Sequence, residues 1–518
     1  MSIAITKEAK GSIKATGWIH DQLKLAANGL AGHEYEFYRY VHRSTWLGGE
    51  YEYSELHESA PYWFNYIVPL AYTLDDERLK QQAKAFLDYT LDHQAEDGWL
   101  GPETTRATRG LWARSLLLFG LTQYAEAEPT ETERIVDAIH KFVDLAHSML
   151  KANFTGLIQQ SGDDFDPYGF GLSRTHELPV SLQWLYERYP CNKTEIIWET
   201  MELMFEGGRK GNRDWTTFFT PEAFPKLGTP YIKTSGFTHG VNLAQGLRYP
   251  TVLYRMTGND SLKTQTYDAI DWTYQYHSSR SGSLIADEHL GGLSPQRGSE
   301  LCMAVEMMFS MSFLYRFYGE TSFADKVERA GFNALPAALS PDWWAHQYAT
   351  QTNQQFSGNL SVKPFYNIVS YGNTFGLEPN FPCCTVNHPQ GYPKYVAASY
   401  VSDQKPLPDD QVHSHTHDWV LPATSQWKYA IDPSTLEAQS SEIGDVDLKN
   451  PIWASDGPPT TISVDAYPIE WNDDGGQPSD PPVKANVTGT ARKVKLVPYG
   501  AAKLHIAEFP IVNSTQLR

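Results

Sequence analysis

Cysteine is scarce in this chain: four residues, Cys191, Cys302, Cys383 and Cys384, in a length of 518. That scarcity excludes a disulfide framework of the kind that staples small secreted domains. Two of the four are neighbours, in "FPCCTVNHPQG" at 381–391, and vicinal cysteines seldom bond each other because the bridge strains the peptide between them. Cys191, in "ERYPCNKT", reads as a structural thiol. Long apolar runs are missing too. None approaches the roughly 20 residues needed to cross a bilayer, which argues against a membrane helix. The opening "MSIAITKEAKGSIKATGW" lacks the apolar core of a signal peptide,. The sequence therefore predicts a cytoplasmic protein, or a secreted one whose leader is absent from this chain. The Asn-x-Ser/Thr matches at Asn153, Asn192, Asn259, Asn359, Asn486 and Asn513 would matter only in a secretory compartment,. Basic charge is short as well: Lys and Arg number 42 against 61 Asp and Glu, for a net charge of −19, with no basic run. This opposes binding to nucleic acid or to anionic membranes and suits a neutral partner. Aromatics are plentiful at 13%. They suit sugar rings, although a large helical core is the simpler use for them.

What is there is mostly helical. In "TERIVDAIHKFVDLAHSML", Ile135, Ile139, Phe142, Ala146 and Met149 share one helix face,. Similar patterns run through about 58–74, 78–94, 108–125, 180–189, 194–206, 238–257, 260–277, 299–318 and 322–335. Short links separate them, so antiparallel pairs are expected, arranged as a toroid of hairpins or a solenoid. No fixed sequence period supports a repeat array. Segment 341–395 is rich in Asn, Gln, Gly, Pro and aromatics and reads as long ordered loops,. From 403 the chain turns Pro- and Asp-rich, with β-like runs such as "TTISVDAY" and "KVKLVPYG",. The division predicted is a helical domain over 1–402 and a C-terminal β region over 403–518.

The chemistry-bearing residues gather in three places. In "GLSPQRGSELCMAVEMMFS" Ser299 reads as a helix cap, with Cys302 in the first turn, where the positive end of the helix dipole favours thiolate,. Glu300 lies two residues before that cysteine. Glu300, Cys302, Cys383 and Cys384 together would offer one carboxylate and three thiolates, a donor set that zinc takes tetrahedrally. The spacing is not that of a zinc finger, and three buried thiols that never meet is the competing reading. Just upstream, "GSLIADEHLGG" sets Asp287, Glu288 and His289 on a Gly-flanked loop. Such a loop is either a solvated acidic cluster or the seat of a general acid in an enclosed site.

These stretches resemble glycoside hydrolase family 127, the cysteine glycosidases of the β-L-arabinofuranosidase type. The resemblance is carried by "DEHLGGLSPQRGSELCMAVEMMFS", "FPCCTVNHPQGYPKYVAAS", "GSIKATGWIHDQL", "HQAEDGWLGP" and "HGVNLAQGLRYPTVLYRMTG", in the expected order over about 10–402. It returns at "SQWKYAI" and "KLVPYGAAKLHIAEFP". It implies a mainly α fold, an (α/α)6 barrel followed by a β-sandwich, and a carbohydrate substrate. It implies Zn2+ held by Glu300, Cys302, Cys383 and Cys384, with Cys383 as nucleophile and Cys384 as ligand only. The acid/base matches best at Glu288; Asp287 stays an alternative. His176 and His239, from family-like contexts, are expected at helix starts facing the barrel mouth, where they would bond sugar hydroxyls or simply cap their helices. His388, close to the thiols, is either a third candidate for the sugar site or a loop histidine that satisfies backbone groups. Asp97 and Trp99 in "EDGWLGP" line the pocket or form a packed turn.

The implied reaction is retaining hydrolysis. Cys383 attacks the anomeric carbon, Glu288 protonates the departing oxygen, and Glu288 then activates the water that releases the glycosyl thioether. Two other readings stand beside it: a catalytically silent carbohydrate-binding or structural barrel with a structural zinc, and a carboxylate-based helical-toroid hydrolase or lyase in which the cysteines are incidental. The chain departs from the family after Tyr400. Only about 20 residues separate it from the tail-like "SQWKYAI", so the β-sandwich is expected to be shortened.

Overall fold

The computed structural model describes residues 14–226 and 234–399, apart from 353, 355, 356, 361–364 and 366. It also gives the backbone of four strands, Ile5–Lys7, Val401–Asp403, Thr460–Ala466 and Val483–Gly489. The chain divides into two compact units, Met1–Trp419 and Val420–Arg518. In the second unit the described backbone is one antiparallel pair, Thr460–Ala466 with Val483–Gly489. The expected β-sandwich otherwise lies outside the described residues.

The first unit is built from helices of two kinds. Some are apolar on every face. Helix α2 (Ser59–Leu74), with α1 being Gly17–Asn28, reads "SAPYWFNYIVPLAYTL" and is buried along almost its whole length. A helix of this kind belongs inside a core. Others carry a single apolar stripe, as does α5 (Thr132–Lys151), which follows α3 (Glu77–Asp92) and α4 (Trp112–Ala127). The two kinds alternate along the chain: α6 (Glu177–Arg188), α7 (Thr194–Lys210), the pair α8 (Gly240–Gly246) and α9 (Tyr249–Thr257), α10 (Asp260–His277), α11 (Leu301–Tyr318), α12 (Thr321–Arg329), and the pair α13 (Cys383–Asn387) and α14 (Gly391–Ala398).

The inner helices close a ring. Helix α2 packs on α4, α4 on α6, α8 on α11, α11 on α14, and α14 back on α2. Side chains join α6 to α8 and α9: Gln183 donates to the Val252 carbonyl and His176 to that of Gln245, both at 2.9 Å. The outer helices each lie on an inner neighbour, α3 on α2, α5 on α4, α7 on α6, α10 on α9, α12 on α11 and α1 on α14. This is the (α/α)6 barrel that the sequence predicts. Its core is not wholly apolar. Arg248 lies between Glu177 (2.8 Å) and Glu306 (3.5 Å), and Trp112 donates to the other oxygen of Glu177 at 2.9 Å. Paired in this way, charges can stay buried between the inner helices.

Two expectations change. The segment 341–395 is not loop throughout, because 383–398 forms the sixth inner element. Pro389, Gly391 and Pro393 hide it, since they break the apolar period. Each proline falls in the first turn of a short helical segment, where no backbone N–H is required of it,. The cap of α11 is Glu300, not Ser299. Ser299 belongs instead to a small sheet made of β1 (Ala286–Asp287), β2 (His289–Leu290), β3 (Gly298–Glu300) and β4 (Ala349–Gln351), in the order β2-β1-β3-β4. Strand β1 is antiparallel to β2 and parallel to β3, and Glu300 of β3 pairs with Ala349 of β4. This sheet connects α10 to α11 and carries much of the site.

Candidate active site

The inner helices begin at a common mouth. Glu58 precedes α2, Trp112 opens α4, Arg174 lies just before α6, His239 caps α8, Glu300 caps α11 and Cys383 opens α13. All six line one cleft of about 880 Å³. Helix N-termini carry positive dipole ends, so the mouth favours anionic groups.

At the floor, four donors converge. One oxygen of Glu300 and the sulfurs of Cys302, Cys383 and Cys384 lie within 4.8 Å of one another. The Cys302 and Cys384 sulfurs are 3.1 Å apart, both as free thiols, and Cys384 Sγ is 3.7 Å from Glu300 Oε1. Cys384 is sealed at 0% exposure, whereas Cys383 is partly open and lines the cleft. The electrostatics show what the donor set lacks by itself. Hydrogen bonds from Cys302 and Cys384 hold the Cys383 thiol well below its usual range, against burial. Burial pushes Cys302 and Cys384 up. Burial, then the charges of Glu288 and Cys383, push Glu300 well above the usual carboxylate range. Only Cys383 is drawn toward its charged form, burial opposes charge on the other three, and among the described residues Glu300 Oε2 is buried with no partner. Three sulfurs and a carboxylate that cannot all carry charge without a cation fit a tetrahedral zinc ion.

Above the cluster stands Glu288. Its backbone is left-handed, with φ +75°, a conformation costly for a residue bearing a Cβ and most often met at functional sites. The bend between β1 and β2 enforces it, and the Glu288 carbonyl accepts from Gly240 N at 2.7 Å. Only glycine permits that approach: a Cβ on Gly240 would lie 2.1 Å from Met303 Sδ. The Glu288 carboxylate is held at both oxygens. Tyr348 Oη donates to Oε1 at 2.5 Å, and His239 Nε2 lies 3.1 Å from Oε2. His239 Nδ1 accepts from Asn242 N at 3.3 Å, so its proton is on Nε2 and points at Glu288,. His239 thus caps a helix and faces the cleft at once. Tyr348 Oη also lies 3.9 Å from Cys383 Sγ.

Asp287 is placed differently and is not among the cleft-lining residues. It is fully buried and pairs with Arg297, whose Nε lies 2.8 and 2.7 Å from its two oxygens. Asp287 ends the strand, whereas Glu288 lies beyond it at the left-handed bend, so the two neighbouring acids are held by different partners. His176 and His388 take the structural places that the sequence also allowed, and neither is among the cleft-lining residues. His176 is fully buried and donates to the Gln245 carbonyl. His388 lies behind the thiols, where Nδ1 donates to the Cys384 carbonyl at 2.8 Å and burial pushes the ring down to about 3. It braces the cysteine helix. Trp99 is sealed in the core and donates to Glu103 at 3.1 Å, and Asp97 pairs with Arg109, so that turn is a packed one. Tyr348, Tyr53, Glu58, Trp112 and Arg174 line the cleft without having been read from the sequence. Only for Tyr348 was there a signal, its place in the aromatic-rich stretch that follows the barrel helices.

Residues 211–396 match the family described as Beta-L-arabinofuranosidase, GH127 catalytic domain. That stretch is similar to the catalytic domain of glycoside hydrolase family 127. The match spans the acid loop, both thiol segments and His239. No curated protein matches the chain. Among solved structures the chain is similar to a GH127 β-arabinofuranosidase, at 15% identity and TM-score 0.53, covering 78% of this chain and 63% of that one. It is also similar to a GH127 β-L-arabinofuranosidase from Geobacillus stearothermophilus T6, at 13% identity and TM-score 0.52, covering 76% of this chain and 65% of that one. At these identities the likeness establishes the fold, and the chain spans under two thirds of either relative's length.

Proposed function

We propose that the protein is a retaining glycosidase that removes β-L-arabinofuranose or a related sugar from plant-type glycans, with residues 1–402 as its catalytic unit. The observation that carries this reading is the convergence of Cys302, Cys383, Cys384 and Glu300 on the cleft floor, with Glu288 held beside them. Glu300, Cys302, Cys384 and, in the resting state, Cys383 would hold zinc, which when bound supplies the positive charge that lets all the donors ionise together.

The remaining steps belong to the chain. Cys383, the cluster's open thiol and the one ionised most easily, attacks the anomeric carbon. Glu288 gives its proton to the leaving oxygen, and a glycosyl thioether forms on Sγ. Water then enters, Glu288 takes its proton, and the carbon–sulfur bond breaks with retention of configuration. The spacing supports retention. One hydroxyl, Tyr348 Oη, lies 2.5 Å from Glu288 and 3.9 Å from Cys383. The two reacting groups are therefore closer than the roughly 6.5–9.5 Å that an inverting pair of carboxyl groups needs to admit water. His239 and Tyr348 orient the acid/base.

The test is turnover of para-nitrophenyl β-L-arabinofuranoside with mass analysis of the quenched protein. The reading expects a pentosyl adduct on the peptide that contains Cys383 and initial release of the β-anomer. An α-anomer product, or an adduct on a carboxylate, would overturn it.

A further inference from the structure

Two cleft carboxylates have no part in this chemistry, and of these Glu55 is exposed while Glu58 is buried. Glu58 stands at the start of α2, 3% exposed and lining the cleft. Helix α2 packs against α13, which Cys383 opens. Glu58 accepts from two hydroxyls, Tyr53 Oη and Ser54 Oγ, the latter at 2.8 Å. Among the described residues no cation pairs with it. A carboxylate has about four acceptor sites, more than these two hydroxyls fill. Tyr53 and Ser54 line the same wall. Tyr53 is near enough to the thiol cluster that, after burial and Glu58, the charge of Cys383 helps push its phenol up. The cleft cation, Arg174, is occupied elsewhere: Nε donates to Asn242 Oδ1 at 2.8 Å and its guanidinium lies 4.3 Å from the Trp112 ring centre.

A carboxylate held by two hydroxyls, with acceptor sites to spare, accepts hydrogen bonds. Sugar hydroxyls donate them, and a sugar carboxylate does not. We propose that Glu58, oriented by Tyr53, is a specificity-determining residue that accepts a hydrogen bond from one hydroxyl of the bound sugar, selecting an uncharged hydroxylated glycone over a carboxylated one. This rests on the glycosidase reading above.

The experiment compares wild type, Glu58→Gln and Tyr53→Phe on para-nitrophenyl β-L-arabinofuranoside and its 2-, 3- and 5-deoxy analogues. A hydrogen bond to this buried carboxyl, which burial raises to about 7, is lost in either the variant or the deoxy substrate, so kcat/KM should fall about 10-fold in each. The expected signature is non-additive. One deoxy analogue is as poor for wild type as the parent is for Glu58→Gln, and Glu58→Gln no longer distinguishes that analogue from the parent. Tyr53→Phe, which keeps the carboxylate, shows the same ranking with a smaller loss. A Glu58→Gln loss equal across every substrate means that the residue only supports the fold and overturns the inference. No turnover of any furanoside by wild type overturns the glycosidase reading and the inference with it, so the two failures are distinguishable.

Discussion

Replacing Tyr348 by Phe tests whether Glu288 must be held in place to work. The change removes one oxygen from a side chain that is 1% exposed. It leaves the ring, which packs edge-on against Phe381 with centres 6.1 Å apart. What is lost is the 2.5 Å bond to Glu288 Oε1 and the 3.9 Å approach to Cys383 Sγ. A hydrogen bond to a charged group contributes about 1.5–3 kcal/mol. If it is felt in the transition state, kcat/KM should fall about 10- to 150-fold, at 1.36 kcal/mol per factor of ten. The assay is steady-state hydrolysis of an aryl furanoside, with thermal unfolding and zinc content measured on the same samples. Tyr392→Phe is the control. Its hydroxyl donates to the Gly331 carbonyl at 2.6 Å, away from the cleft. That variant should lose about 1 kcal/mol of stability and keep its rate. If Tyr348→Phe behaves like Tyr392→Phe, with rates within twofold of wild type, the hydroxyl is structural and the account of Glu288 is wrong.

The vicinal cysteines should part company. Cys383→Ser keeps zinc on the remaining donors but loses at least about 10³-fold in kcat, whereas Cys384→Ser, at a site with 0% exposure, loses zinc and stability as well as rate; metal analysis beside kinetics separates them. Glu288→Gln should abolish hydrolysis with little change in melting. Asp287→Asn, which weakens the Arg297 fork, should instead cost about 2–3 kcal/mol of stability in denaturant melts. Away from the site, Glu328 on α12 is 2% exposed with Oε1 unpartnered, and burial pushes it up from 4.5 to about 9. Because its folded pKa is raised, its stabilising contribution is complete below pH 4.5 and is lost as pH climbs toward 9. Glu328→Gln should therefore gain on wild type as pH rises, by on the order of 3 kcal/mol between pH 4.5 and 7. Urea melts at several pH values check this, and a constant difference would contradict it.

The barrel was legible because its outer helices carry a stripe at helical spacing and several inner helices, such as α2 and α11, are apolar almost all round. Residues 383–398 were not, because two prolines and a glycine interrupt the period where the chain makes its last inner element. The donor set was legible only through resemblance: Glu300 and Cys302 are separated from Cys383 by about eighty residues, and nothing local says that they meet. The difference between Asp287 and Glu288 depended on a left-handed bend after a short strand, and on Arg297 ten residues ahead. His176 and His388 read as sugar contacts because they flank functional motifs, yet each is used to brace a neighbouring helix. Tyr348 and Glu58 reach the cleft from a strand end and a helix start, positions without a periodic signature.

The most direct measurement is the metal itself. Native mass spectrometry and elemental analysis of the purified protein, with anomalous diffraction at the zinc edge, should find one zinc per chain within bonding distance of Cys302, Cys384 and Glu300, and should find it lost in Cys302→Ser. A fully active protein without zinc, or zinc bound away from these side chains, would contradict the account.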